Sequence, residues 1–369
     1  MKITVIKNEI ETAVSSVYRI VPTKASVETL EGIYLQATSD NKLTIKGYDL
    51  EIGIEAVIDA EVKEEGSVIV PAKLFYDIVK KAPSQSITIS VSDKFVTSIT
   101  SGKSRHRLTG MSTKDYPTLP KEEETDSLVI KAGVLEELIK HTMYAISNNT
   151  SRPIYTGSLF EIKDNTLTVV SIDGYQMGIR KYSDESITND NEFVISGKTQ
   201  KELIALITNP EADVKIIVCK RHCIILIDNY KIFTRMIEGN FIDYNSTIPK
   251  TKKTTVEVNA YELQKAIERL MIVDYNKINS PVKCEFVNSE FELHMTIKTP
   301  MGEAEEVISL DKFVGDDVTI GFNGNYLYNG IKNADCENVS LILNGEISPM
   351  VVTDDKNGFI NLVVPMHLG

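Results

Sequence analysis

One arrangement recurs three times along this chain: a short strand, a helix, several strands, a second helix, then more strands, with copies starting about 125 residues apart. Copy one opens with Val5-Ile6-Lys7-Asn8-Glu9-Ile10, copy two with Val129-Ile130-Lys131, and copy three near Val258. In copies one and three the first helix carries an i, i+4, i+7 apolar stripe, formed by Ile10, Val14 and Val17 and by Leu263, Ile267 and Leu270. In copy two Val134 and Leu138 continue the stripe and His141 takes its third position. Each second helix follows a short apolar strand: Val68-Ile69-Val70, Phe193-Val194-Ile195 and Val318-Thr319-Ile320. A repeat this long is not a solenoid unit, because those run about 20 to 50 residues and need neighbours to bury a core. Each copy is therefore a domain, and the predicted boundaries are 1–122, 127–250 and 254–369.

The segments from Tyr116 to Glu124 and from Asp243 to Lys250 share Tyr and Pro landmarks and read as extended interdomain straps. Alternating stretches such as Ile87 to Val91 and Val214 to Val218 read as strands, joined by short polar turns such as Asp40-Asn41 and Asp164-Asn165. No strand–helix–strand alternation occurs, so the class is α+β with antiparallel sheets and two helices per domain.

Charge narrows the function classes. With 369 residues and a formal net charge of -12, the chain does not grip nucleic acid by bulk charge. The charges are nevertheless unevenly spread: Glu122 to Glu124 and Glu303, Glu305 and Glu306 are acidic, while Lys103, Arg105 and Arg107 and the run Lys250, Lys252, Lys253 are basic. The four cysteines form no regular framework, and neither an export signal nor an apolar run of about 18 residues is present, so a reduced, cytoplasmic, membrane-free protein is expected. The sequons at Asn148 and Asn245 are then idle.

No catalytic constellation survives inspection. Gly197-Lys198-Thr199 lacks the earlier glycine of a phosphate loop, since Glu192 stands there, and Gly102-Lys103-Ser104 fails likewise at Thr97. Cys219-Lys220-Arg221-His222-Cys223 lies between strong strand signals and reads as a hairpin with Lys-Arg-His at its tip, not a zinc site. Asp173-Gly174 and Asp354-Asp355 read as turns. No metal or cofactor is expected, and what remains is a binding protein.

Several segments carry a family resemblance: Gly47-Tyr48-Asp49-Leu50-Glu51, Val70-Pro71-Ala72-Lys73, Ser101-Gly102-Lys103-Ser104-Arg105, Asp173-Gly174-Tyr175, Phe241-Ile242-Asp243-Tyr244, Cys336-Glu337-Asn338-Val339 and Val364-Pro365-Met366-His367-Leu368. In order and spacing, over the whole chain, they resemble the β subunits of bacterial DNA polymerase III, the sliding clamps. The resemblance implies a non-catalytic processivity factor: a head-to-tail homodimer forming a ring of six similar domains, helices lining a hole threaded by double-stranded DNA without sequence preference. It implies docking of the polymerase III catalytic subunit and the clamp loader by short peptides. The residues alone leave a second reading, a three-domain peptide scaffold that never closes a ring; oligomeric mass separates the two.

The resemblance also assigns surfaces. The residues expected to face DNA are Lys24, Lys73, Asn149, Pro153, Ile154 and Lys198. The expected peptide cleft, between copies two and three, comprises Tyr155, Ile172, Gly174, Tyr175, Gln176, Met177, Ile242, Ser246, Thr247, Pro349, Leu362, Val364, Pro365, Met366 and Leu368. Ile242, Ser246, Thr247 and His367 depart from residues common in the family, and Gly369 is an extra terminal residue. The expected dimer contact sets Lys103, Arg105, His106, Arg107 and Leu108 of copy one against Ile272, Val273, Glu303, Glu305 and Glu306 of copy three.

Overall fold

A computed structural model of the chain describes residues 1–120, 127–274, 280–354 and 358–368. The acidic run Glu122 to Glu124, the end of the first strap, Asp355 and Gly369 lie outside the described residues. Seven helices are present among them: α1 Lys7–Tyr18, α2 Ala72–Lys80, α3 Ala132–Lys140, α4 Gly197–Leu206, α5 Tyr244–Thr247, α6 Ala260–Leu270 and α7 Gly324–Lys332. The pairing of every strand ladder is antiparallel, as the alternating pattern predicts.

Two compact units emerge. The first comprises Met1–Gly133 and Lys201–Met236. It holds a five-stranded sheet, Glu61–Glu64, Lys2–Ile6, Ser86–Val91, Val96–Ser101 and Ser104–Thr109 in spatial order. Its eight-stranded sheet runs Ser127–Lys131, Asp213–Val218, His222–Ile227, Tyr230–Arg235, Ile52–Asp59, Lys42–Tyr48, Gly32–Thr38 and Gly66–Pro71. Helix α1 buries Ile10, Val14 and Val17 fully, the stripe its sequence predicts. Gly102, at φ +58, supplies the left-handed residue of a two-residue hairpin turn that sets Ser101 opposite Ser104.

The second unit comprises Val134–Gln200 and Ile237–Gly369. Its nine-stranded sheet runs Asn191–Ser196, Gly157–Lys163, Thr166–Ile172, Gln176–Ser183, Phe359–Val363, Met350–Asp354, Asn338–Leu343, Thr254–Asn259 and Lys312–Val314. A four-stranded sheet follows the order Gly302–Ser309, Glu292–Thr299, Pro281–Val287 and Val318–Asn323. Helix α6 is capped by Asn259, whose side chain accepts from the Glu262 amide, and α7 by Asn323, which accepts from Asn325. Leu263, Ile267 and Leu270 sink into a core with Phe286, Phe322 and Phe359.

Several expectations need correction. In α3 the buried positions are Ala132, Leu135, Leu138 and Ile139; Val134 is half-buried, and His141 lies one residue past the helix, its Nδ1 2.6 Å from the Asn333 carbonyl. An imidazole finds a hydrogen-bond partner there that a core stripe does not offer. Asp354 ends a strand instead of making a turn, buried beside the equally buried Arg180. The second strap is not fully extended: Asp243 caps α5 by accepting from the Ser246 amide. The hairpin tip is Cys219 to Arg221, because His222 already pairs with Arg235 in the ladder.

Candidate functional site

The second unit contains a ladder that the repeat alone does not reveal. Strand Gln176–Ser183 of copy two pairs with Phe359–Val363 of copy three, setting Gln176 opposite Val363 and Met177 opposite Leu362. Beyond it the Val364 amide donates to the Tyr175 carbonyl at 2.9 Å. The turn leading in is fixed by Asp173, whose Oδ1 accepts from the Tyr175 and Gln176 amides at 2.8 and 2.9 Å. Gly174 follows at φ +98; an added Cβ there meets nothing within 4 Å, so backbone angle and not space calls for glycine.

Around this ladder the structure gathers Ile172, Met177, Leu362 and Val364 into one apolar cluster with Leu159, Val170, Ile179 and Tyr244. Met177, Leu362 and Gln176 are themselves buried, so they form the floor. Ligand-accessible surface comes instead from Ile172, Thr247, Val364, Pro365 and Met366, all half-buried, and from the exposed Ile242 and Ser246. The Thr247 hydroxyl donates to the Tyr244 carbonyl at 2.7 Å and lies 3.9 Å from the Met177 sulfur. Burial, helped by a bond to Glu161, pushes the Tyr244 phenol up to about 12.

The C-terminal segment closes the other side. The Met366 amide donates to the Gly321 carbonyl at 2.7 Å, and Val364, Pro365, Met366 and Leu368 line a recess of about 500 Å³ with Gly321 and Ile347. A Cβ on Gly321 would meet Leu368 Cδ2 at 2.7 Å and the Met366 carbonyl at 2.8 Å, so only glycine lets this tail lie flat. Pro349 is half-buried nearby in sequence to Ile347, which is 91% exposed. Tyr155 meets Phe241 edge-on at 5.6 Å, and Tyr175 stacks on Tyr326 at 6.0 Å. Phe241, Tyr326 and Ile347 are absent from the sequence-derived cleft. Phe241 carried a signal, as the first residue of the Phe241-Ile242-Asp243-Tyr244 segment, and so did Ile347, an isoleucine inside Gly-Glu-Ile-Ser-Pro.

The residues expected to face DNA fall into two groups. Lys24 is exposed in the segment after α1, while Lys73 and Lys198 are exposed at the second positions of α2 and α4. Helix N-termini carry partial positive charge, so a lysine there reinforces attraction to phosphate. Asn149 and Pro153 are exposed, while Ile154 is half-buried, packed against the apolar cluster beside Gly239.

The residues expected at a dimer contact occupy two sheet edges. Strand Ser104–Thr109 pairs only with Val96–Ser101, and Gly302–Ser309 only with Glu292–Thr299, among the described residues. Arg105, His106 and Arg107 are exposed on the first, with Lys103 in the adjoining turn. On the second, Glu303 and Glu305 point outward while Glu306 turns inward, held by Arg269 through two bonds of 2.6 and 2.7 Å. Leu108 is already buried within its own unit, so it has little area left to lend. Ile272 is 71% exposed and Val273 half-buried. Met301, in the turn before this strand, and Val307 were missed, exposed at 67% and 53%; Val307 is the one apolar residue on an outward face shared with Glu303, Glu305 and Ser309.

Burial pushes the Cys284 thiol up to about 12 and raises Cys223 as well, which disfavours the reactive thiolate at both. The one cluster of three metal-capable side chains among the described residues, Glu290, Glu292 and His294, is a partly exposed acidic group, and Cys219 and Cys223 belong to none. No helix among the described residues is long and apolar enough to cross a membrane.

Comparison with known proteins agrees with this geometry across the chain. Residues 1–120, 129–243 and 245–367 match the N-terminal, central and C-terminal domains of the DNA polymerase III beta subunit. A beta sliding clamp of Halalkalibacterium halodurans is 30% identical over 366 residues, covering 96% of each chain. One from Bacillus subtilis is 28% identical over the full length of both. The crystal structure of the DNA polymerase sliding clamp from Bacillus subtilis superposes with a TM-score of 0.96 at 27% identity, covering both chains fully. A putative DNA polymerase III beta subunit from Eubacterium rectale gives 0.95 at 29%, over 100% of this chain and 99% of that one. The chain thus belongs to the DNA polymerase III beta subunit family, the bacterial sliding clamps, and is a non-catalytic processivity factor of DNA replication built from three clamp domains.

Proposed function

We propose that two copies of this chain close head to tail into a ring around duplex DNA, with copy one of each subunit meeting copy three of the other. The observation that carries this reading is the pair of unpartnered sheet edges, one basic (Arg105, Arg107) and one acidic (Glu303, Glu305). An open edge is a template for strand addition, and opposite charge selects the heterologous pairing over self-association of either edge. Exposed ion pairs contribute only about 0–1 kcal/mol each, so Ile272, Met301 and Val307 supply the main driving force by burial.

Inside such a ring the lysines at the starts of α2 and α4, with Lys24, touch phosphates without reading sequence. Retention is topological, so direct affinity stays low and sliding is unhindered. The cleft of copies two and three takes a short apolar peptide of the form Gln-x-x-Leu-Phe from the polymerase III catalytic subunit or the clamp loader, with micromolar affinity, about -8 kcal/mol. The domains span 1–122, 127–250 and 254–369, and the protein works in the cytoplasm. Sedimentation at micromolar concentration tests the ring: a species of twice 41.2 kDa is expected, and a monomer overturns it.

A further inference from the structure

The first unit repeats, hydrogen bond for hydrogen bond, the frame on which the second unit builds its cleft. Asp49 Oδ1 accepts from the Glu51 and Ile52 amides at 2.9 and 2.7 Å, as Asp173 does from Tyr175 and Gln176. Leu50 takes the left-handed conformation of Gly174, with φ 76 against 98. The Arg235 amide donates to the Glu51 carbonyl at 2.9 Å, as Val364 does to Tyr175. Phe233 lies opposite Gly53, as Leu362 lies opposite Met177.

The lining differs, and in register. Across the second unit's sheet one row of neighbours reads Leu159, Val170, Ile179, Ile360. The matching row of the first unit reads Tyr34, Lys46, Glu55, Lys231. Where the apolar row is packed shut, the charged row leaves a groove of about 500 Å³ that also holds Lys114, Tyr116, Leu119 and Phe233. Leu119 fills the space beside Gly53 that Met177 fills in the other unit; a Cβ on Gly53 would meet it at 2.7 Å. A peptide without acidic residues therefore leaves the cations of this groove unmatched.

We propose that this groove at the junction of copies one and two is a second docking site, one that takes an acidic peptide segment with an embedded aromatic or leucine side chain. Lys46, Lys114 and Lys231 outnumber the one carboxylate, Glu55, in a chain whose net charge is -12. Such a local reversal of sign attracts acidic segments and orients them. Lys46 lies 5.5 Å over the Tyr34 ring and Lys231 5.4 Å over Phe233, so aromatic faces and cations alternate along the wall. Tyr116 adds a buried hydroxyl with no hydrogen-bond partner among the described residues, a donor for an incoming carboxylate. Glu55 in the floor, 2.8 Å from Lys46, and the proline walls Pro117 and Pro120 favour a peptide over a phosphate backbone.

The test uses the full chain and the fluorescein-labelled peptide Ac-Asp-Glu-Leu-Phe-Glu-Asp, read by anisotropy. Saturable binding is expected, weakened about tenfold by Lys114→Gln with Lys231→Gln and tightened about threefold by Glu55→Gln, with a steep fall at high salt. The lysine variants should still bind a Gln-x-x-Leu-Phe peptide as the wild type does, which separates loss of this groove from misfolding. Absence of binding at millimolar protein, equal binding by the lysine variants, or displacement of the probe by the Gln-x-x-Leu-Phe peptide would each overturn the proposal. Displacement by a dT10 oligonucleotide would assign the groove to nucleic acid instead.

Discussion

Single residues decide whether the cleft is open. Gly321 sits under the C-terminal tail, where a methyl group would press on the Met366 carbonyl at 2.8 Å, an atom that cannot rotate away. Gly321→Ala should thus displace the tail and weaken the Gln-x-x-Leu-Phe peptide by about 1–2 kcal/mol, similar to Met366→Ala, while dimer mass stays unchanged. Calorimetry giving wild-type affinity for both variants would move the peptide site elsewhere. Tyr244, under the same cleft, carries a pH signature. Its folded phenol keeps the proton to about 12, whereas the unfolded side chain ionises near 10. Its contribution is therefore whole below about pH 10 and is lost as pH climbs from about 10 to 12, because only the unfolded chain gains by ionising there. Thermal melts between about pH 9 and 11.5 should fall more steeply for the wild type than for Tyr244→Phe; parallel curves would contradict the assignment.

At the scale of elements, the sequence and the structure part company at pairing. The first helices of copies one and three are readable from Ile10, Val14, Val17 and from Leu263, Ile267, Leu270, because 3.6-residue periodicity is a local signal. The inter-copy ladders are not: apolar alternation in Ile52–Asp59 says which face is buried, not that Tyr230–Arg235 is the partner. For the same reason copy two divides between two compact units although the repeat shows three domains. The candidate cleft carries sequence motifs at Asp173 to Tyr175 and at Val364 to Leu368. It was illegible at Tyr326, whose place near the start of α7 reads as part of that helix's own stripe. Glu306 was expected to face a basic edge of a second subunit, and its pairing with Arg269 was not readable because that partner lies on a helix 37 residues away. The turn Met271–Asp274 that follows α6 yields the sharpest element-level prediction. Ile272 is 71% exposed, so Ile272→Asp should leave the subunit folded yet cost the dimer about 2–4 kcal/mol, whereas Val273→Asp should also lower the melting temperature. An Ile272→Asp protein that sediments as wild type would exclude this turn from the interface.

For the whole molecule, an acidic chain that belongs to a DNA-encircling family poses an apparent conflict of charge. Net charge of -12 repels the duplex from outside, while in the proposed ring the exposed Lys24, Lys73 and Lys198 are the phosphate contacts, too few to hold it by affinity. Closure resolves the conflict, since a ring needs no affinity to stay on and weak contacts let it slide. That is the central claim, and the lifetime of the loaded protein on closed circular DNA against the same DNA linearised tests it directly. The account predicts long retention on the circle and rapid loss through free ends, with the difference abolished by blocking both ends. Equal lifetimes on the two DNAs would contradict it.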